Sequence, residues 1–286
     1  MKLRKTDSNA LRIEIPTGPG QEHWFLLRSD AHHDNPHCQR EMEKKHLEEA
    51  LELNAGIIDV GDLFCAMQGK YDPRSSKTNL RPEHQRDDYL DALISTTADD
   101  YADYAKNWIT MSPGNHEAAI KKRHETDLTQ RLVAVLNDRT GSNIQCMGYT
   151  GWIRFVFAYG KNKSVSKTLW YTHGSGGGSP VTHGIIASAR QNVYIENADI
   201  MVSGHVHRSW VQEYIKTRLT NIGQIVRRIC FYVKTPTYKD AYADGQAGFE
   251  VETGHGPRPL GAYWLKFTTR GKSGGCDVEV QVIKAG

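Results

Sequence analysis

An α/β fold, built as a two-sheet β-sandwich flanked by helices, is predicted by three features of this 286-residue chain. Apolar, strand-like runs alternate with amphipathic stretches through the first two-thirds. An early strand, helix and strand follow one another at the length of a βαβ unit, which implies a right-handed crossover and a parallel pair. The last quarter reads as mostly β, supplying strands for a second sheet and helices left outside. No internal repeat or domain-separating linker interrupts the pattern, so residues 1–286 read as a single domain whose β-rich portion from about 208 completes the second sheet.

The elements follow in order. Residues 23–30 (HWFLLRSD) form a short apolar strand ending in polar residues. Residues 39–54 are charged, with Leu47, Ala50 and Leu51 at helical spacing, and 56–61 (GIIDVG) read as a second buried strand. A long loop over 64–86 carries Gly, Pro, Ser and Asn with little apolar content; such a loop in a compact domain is functional or mobile. A helix is predicted over 87–106, a strand over 108–112 and a helix over 127–137. Strands 151–159 and 167–173 form a hairpin about the turn 160–163, followed by a helix over 181–193 and a strand over 198–204. Strands over 210–215, 225–234, 262–269 and 278–283 close the chain.

Composition excludes several classes. Hydrophobic content of 38% and charged content of 24% are those of an ordinary globular protein. No apolar run approaches the roughly 20 residues a membrane span needs, so no membrane partner is expected. The first residues are basic without an apolar stretch behind them, which does not read as a secretion signal. Cys38, Cys65, Cys146, Cys230 and Cys276 are scattered and make no CxxC pair, which fits a reducing cytoplasm better than a disulfide framework. A net charge of +3 is too small to argue for nucleic acid alone. The 13 histidines say more, because several sit beside Asp, Asn and Gly at the ends of apolar runs.

Five short motifs fall at the carboxyl ends of predicted strands: Asp30-Ala-His32, Gly61-Asp62, Gly114-Asn115-His116-Glu117, His173-Gly174 and Gly204-His205-Val-His207. In α/β sheets that is where ligands bind. Carboxylate, amide oxygen and imidazole without thiolate suit manganese, iron, zinc, nickel or cobalt, manganese being the first choice. Seven side chains (Asp30, His32, Asp62, Asn115, His173, His205 and His207) exceed what one open metal site takes, and two divalent metals sharing a carboxylate account for the number. In Asp-x-His and His-x-His on extended chain, residues i and i+2 share a side. The neighbouring glycines permit tight turns and close backbone approach.

The series DxH, GD, GNHE, HG and GHxH resembles the calcineurin-like metallophosphoesterase superfamily, over residues 30 to 207. The resemblance implies a four-layer αββα architecture. It implies that Asp30, His32 and His207 bind one metal, that Asn115, His173 and His205 bind the other, and that Asp62 bridges. His116 matches the family's catalytic histidine, which assists the leaving group while hydroxide from a metal-bound water attacks in line. Glu117 is read two ways, as the orienter of His116 or as an acidic helix-start residue.

Around this constellation, His33, Asp34 and His37 read as a polar loop at the cleft rim, and Cys65 as a small buried residue. Arg74 and Arg81, in a loop that also carries Lys70, Tyr71, Lys77 and Arg86, are candidates to grip a polyanion. His183 is a candidate substrate contact or a helix-start residue, and the turn 253–261, with His255 and Arg258, a candidate cover for the cleft. The expected function is hydrolysis of a phosphodiester, with a nuclease acting on DNA or RNA as its specific form. The layout is distantly similar to the superfamily's DNA-repair nucleases, while the size fits a stand-alone phage or bacterial enzyme. The alternatives are a phosphomonoesterase or nucleotide phosphodiesterase, and a non-catalytic binding scaffold. Protein phosphatases of the superfamily carry an Arg shortly after GD; Leu63-Phe64-Cys65-Ala66 follows here, which disfavours them.

Overall fold

Two mixed sheets face one another in the computed structural model, which describes residues 1–66, 80–160, 163–177, 179–242, 249–272 and 275–286. In chain order the elements begin β1 (Lys2–Asp7), β2 (Ala10–Pro16), β3 (Glu22–Arg28), α1 (Arg40–Glu52), β4 (Gly56–Asp59) and α2 (Tyr89–Tyr101). They continue β5 (Trp108–Met111), α3 (Asn115–His124), α4 (Leu128–Thr140), β6 (Gln145–Cys146), β7 (Thr150–Tyr159) and β8 (Lys163–Thr172). The last are α5 (Ile185–Tyr194), β9 (Ile200–Ser203), β10 (Trp210–Leu219), β11 (Ile225–Lys234), α6 (Phe249–Glu252), β12 (Tyr263–Lys272) and β13 (Gly275–Lys284).

The first sheet has the order β13-β12-β3-β4-β5-β6, and β3 to β6 run parallel. The second has the order β1-β2-β7-β8-β9-β11-β10. Apolar alternation explains their contact: Phe25 and Leu27 on β3 face Phe155 and Phe157 on β7, with Ile58, Ile109, Leu169, Ile200 and Phe267 in the same buried core. The Phe25 and Phe155 rings meet edge to face at 4.8 Å, a geometry the ring quadrupoles favour. Leu26 and Ile57 point the other way, into a core shared with α1, α2 and α4. On the far side, Trp170, Met201 and Tyr232 make a smaller cluster, and the Tyr232 hydroxyl donates to Gln191 of α5. The result is helix, sheet, sheet, helix. No helix among the described residues is long and apolar enough to cross a membrane.

The C-terminal strands divide, contrary to the expectation that they complete the second sheet alone. β10 and β11 join it, but β12 pairs antiparallel with β3 and β13 with β12, in the first sheet. Alternation predicts which face of a strand is buried, not which edge it joins. Five further elements were not read from the sequence, the short β6 and α6 among them. β2 buries Leu11, Ile13 and Ile15 in strict alternation, a legible signal. β1 is nearly all exposed and exists through its pairing with β2. α3 buries only Glu117 and Ile120, so it has no apolar stripe to read.

Candidate metal centre

The five motifs follow β3, β4, β5, β8 and β9, and their side chains gather in two neighbouring groups. Ligand atoms of Asp30, His32 and His207 lie within 4.8 Å of one another, as do those of Asp62, His173 and His205. Asn115 belongs with the second group: its Oδ1 is 3.1 Å from His173 Nε2 and 2.7 Å from His205 Nδ1. Asp30, His32, Asp62 and His173 are buried. The Asp30 loop is tied to the Asp62 loop by backbone bonds, Asp30 N–H to Gly61 O at 2.8 Å and His32 N–H to Asp62 O at 3.1 Å.

Close approach explains the glycines. A Cβ on Gly114 would lie 2.0 Å from Asp62 Oδ1, and one on Gly204 would lie 2.4 Å from Asp30 Oδ2. The glycines thus make room for neighbouring carboxylates. Asp30, His32, Asp62, His205 and His207 themselves adopt positive φ. Such backbone costs on the order of 1–3 kcal/mol per residue and persists where surrounding structure imposes it.

Whether the donor set suits a cation is decided by where the lone pairs point. His173 Nδ1–H donates to Val60 O at 3.0 Å, which turns the Nε2 lone pair toward Asn115 Oδ1 and toward Asp62 Oδ2 at 3.2 Å. In the other group His32 Nδ1 is 3.2 Å from Cys65 Sγ, His32 Nε2 is 3.2 Å from His207 Nε2, and His207 Nε2 is 3.3 Å from Asp30 Oδ1. Converging electron-pair donors in a buried place need a positive charge among them. Burial alone would lower the His173 pKa, yet Asp62, Asp30 and Glu117 push it up to about 9. Burial pushes the Asp62 carboxyl up, and His173 and His116 more than reverse it, leaving it well below its ordinary value. The Asp30 carboxyl is also lowered, the His207 contact and the charges of His173 and His207 overcoming burial. The residues present fit a pair of hard-to-borderline divalent cations.

His116 lies in the first turn of α3 beside this cluster. Its backbone N–H donates to Asp62 Oδ1 at 3.0 Å, and its Nδ1–H donates to Cys65 O at 2.6 Å. Its Nε2 therefore faces the cluster, 3.8 Å from Asp62 Oδ2. Glu117 does not orient it. The Glu117 oxygens accept from Phe64 N–H and Gly114 N–H, both at 2.8 Å, so the helix-start reading holds. Burial and the Asp62 charge push its carboxyl up to about 8.

The remaining candidates separate from the cluster. Arg74 lies outside the described residues, with Lys70, Tyr71 and Lys77 of the same loop. Arg81 donates to Asn35 O at 3.1 Å and Cys38 O at 3.2 Å, a clamp on the loop after β3. His183 is exposed, and its carbonyl accepts from Trp210 Nε1 at 3.0 Å; no hydrogen bond or ion pair joins its ring to the described site residues. Arg258 pairs with Glu250 at 2.8 Å. His33 and Asp34 are buried rather than at a rim. His33 bridges Glu43 at 2.7 Å and Asp100 at 2.8 Å, and Asp34 accepts from Ala66 N–H at 2.9 Å.

The segment after β11 was missed. Thr237 Oγ1 donates to Asp30 O at 2.6 Å, Tyr238 N–H donates to it at 3.1 Å, and Ser29 Oγ lies 2.6 Å from Thr235 Oγ1. Lys239 then brings its ammonium 3.6 Å from Cys65 Sγ, beside His32. Burial first, then the charge of Lys239, holds the His32 pKa well below its ordinary value. The signal was a polar run at the end of an apolar strand, the same feature that marked the five motifs.

No known family model matches this chain, and no curated protein does. Among solved structures it is similar to vacuolar protein sorting 29 from Cryptosporidium parvum, at 11% identity over 92% of this chain and 99% of that one, with a TM-score of 0.36. It is similar to protein TM1076 from Thermotoga maritima at 11% identity, over 91% of this chain and 99% of that one, with a TM-score of 0.32. It is also similar to GAP50, the anchor in the inner membrane complex of Plasmodium, at 12% identity over 93% and 89% of the two chains, with a TM-score of 0.39. These likenesses bear on neither family, substrate nor activity.

Proposed function

We propose that the protein is a two-metal-dependent phosphoesterase that hydrolyses phosphodiesters, with nucleic acid the first substrate class to test and manganese the first metal. The observation that supports this reading most is the pair of adjacent, largely buried donor groups, each joining a carboxylate to two imidazoles. Asp30, His32 and His207 would hold one cation and Asn115, His173 and His205 the other, with Asp62 shared between them. When bound, such a pair of cations polarises phosphoryl oxygens and lowers the pKa of a water molecule.

The chain's own residues supply the rest. The Val60 carbonyl keeps the proton of His173 on Nδ1, so that Nε2 would be the atom to hold a cation. The Cys65 carbonyl holds His116 with its proton on Nδ1, which aims Nε2 at the reacting group. A doubly protonated His116 gives its Nε2 proton to the departing oxygen. Lys239 offers a fixed positive charge to the anionic ester. The five cysteines are all free, which supports a cytoplasmic setting.

Metal-stripped protein given manganese should cleave bis-p-nitrophenyl phosphate and single-stranded or duplex DNA, and the activity should be lost in His116→Ala and Asp62→Asn. Turnover of p-nitrophenyl phosphate alone makes it a phosphomonoesterase. Two bound metals per chain with no turnover of any of these substrates would sink the hydrolytic reading in favour of a scaffold.

A further inference from the structure

β10 and β11 form an antiparallel ribbon running from the pair Trp210–Lys234 to the pair Leu219–Ile225. Only Phe231 to Lys234 also pair with β9. The rest of the ribbon passes the amino end of β9 and leads away from the metal centre, which lies beyond its carboxyl end. Alternation gives the ribbon two unlike faces. One packs Trp210 and Tyr214 against the outer cluster and carries Lys216, Arg218 and Arg228. The other is continuous, through Phe231 and Val233, with the core between the sheets.

Beyond that core the second face is uncovered. Ile215 is 71% exposed, Leu219 66%, Ile225 76% and Ile229 53%, and Ile222 in the connecting turn is 79% exposed. Contiguous aliphatic exposure of this kind marks an interaction surface. Its only charged residues are Glu213 and Arg227, one step to either side of the central Ile215–Ile229 pair. Neither makes an ion pair among the described residues. β10 is the outer strand of its sheet, and Glu213, Lys216 and Arg218 along it oppose edge-to-edge addition. The face remains.

We infer that a second copy of this chain docks on this face, ribbon against ribbon, about a two-fold axis through the Ile215–Ile229 pair. With the ribbons antiparallel, Arg227 of each copy reaches Glu213 of the other. The outer Leu219–Ile225 pair of each reaches toward the half-exposed Val211 of the other, while Val233 stays within each copy's own core. An apolar centre flanked symmetrically by one acid and one base complements itself, which is the requirement for an isologous interface. An anionic lipid surface would instead favour the basic face, on the opposite side.

Sedimentation velocity on the full chain, over a concentration series, tests this. Wild type is expected to dimerise, and Ile215→Glu to be monomeric with its metal-dependent turnover intact. Glu213→Arg and Arg227→Glu should each weaken the dimer by about tenfold, one decade being a modest interfacial term. The double variant Glu213→Arg/Arg227→Glu should regain wild-type affinity. A wild-type monomer at every concentration overturns the inference, and co-sedimentation of that monomer with phosphatidylserine vesicles would assign the stripe to lipid. A dimer indifferent to Ile215→Glu overturns it too, and singles that weaken without rescue in the double variant overturn the pairing.

Discussion

In the proposed mechanism His116 would act through its ring contact with the Cys65 carbonyl. With Nδ1–H given to the Cys65 carbonyl, only Nε2 can exchange a proton with a substrate. His116→Ala should therefore lower kcat by about 10²–10⁴-fold, with metal content by elemental analysis unchanged. Loss of metal together with activity would make His116 a ligand or a structural residue. Under the proposed function Lys239 would bind the anionic ester. Lys239→Met should raise KM for an anionic diester several-fold and leave kcat close to wild type; a fall in kcat alone would place it in the chemical step. Gly114 has no tolerance for a side chain, since a Cβ there meets Asp62 Oδ1 at 2.0 Å. Gly114→Ala should cost metal affinity and stability together, read by metal titration and thermal unfolding. A variant that binds metal normally would show that the Asp62 loop can yield.

At the scale of elements, the site rests on a buried ionic junction between β3, α1 and β4. Arg28 is wholly buried, donating to Glu43 at 2.7 Å and Asp59 at 2.9 Å, with its guanidinium 5.1 Å from the Trp108 ring and 5.2 Å from that of Tyr238. Glu43 also accepts from Tyr101 and meets His33. Removing Glu43 takes a charged partner from both Arg28 and His33 inside the core, so Glu43→Ala should cost about 3–5 kcal/mol. Burial pushes the Glu43 carboxyl up, but His33 and Arg28 more than reverse it and hold it below its ordinary value of 4.5. A depressed carboxyl stabilises the fold above its unfolded pKa, and that contribution is lost as pH falls below about 4.5. His33 acts in the opposite sense. Burial lowers it, Glu43 and Asp100 raise it above 6.5, and its contribution is complete below that value and lost as pH rises. The junction should be strongest between the two values. Unfolding by denaturant across pH 3 to 7 should show a shallower acid limb for Glu43→Gln than for wild type; parallel curves would remove Glu43 as the cause.

At the scale of the whole molecule, candidate ligands from both sheets would make metal binding a folding term. Asp30, Asp62 and Asn115 follow strands of the first sheet, and His173, His205 and His207 follow strands of the second. A ligand that binds only the native state stabilises it by about 2.7 kcal/mol at one hundred times its Kd. Manganese should therefore raise Tm and a chelator lower it, with the shift absent in Asp62→Asn. A Tm indifferent to manganese would mean that the two sheets are not joined through the site.

From its amino acids alone, this chain declared the five motifs, the βαβ start, the helices with apolar stripes and the sandwich. Each of these is a local pattern, since alternation and helical spacing record which side of an element is buried. The grouping of seven distant side chains was legible because the strand ends that carry them are legible. Only the tertiary structure decided that β12 and β13 return to the first sheet, because edge pairing leaves no mark in a strand's own residues. It also decided that Thr237 and Lys239 stand against the Asp30 and Cys65 loops, that Glu117 caps a helix instead of aiming His116, and that His33 and Asp34 are buried. Those outcomes rest on backbone carbonyls and on residues up to 207 positions apart, contacts that no local period encodes.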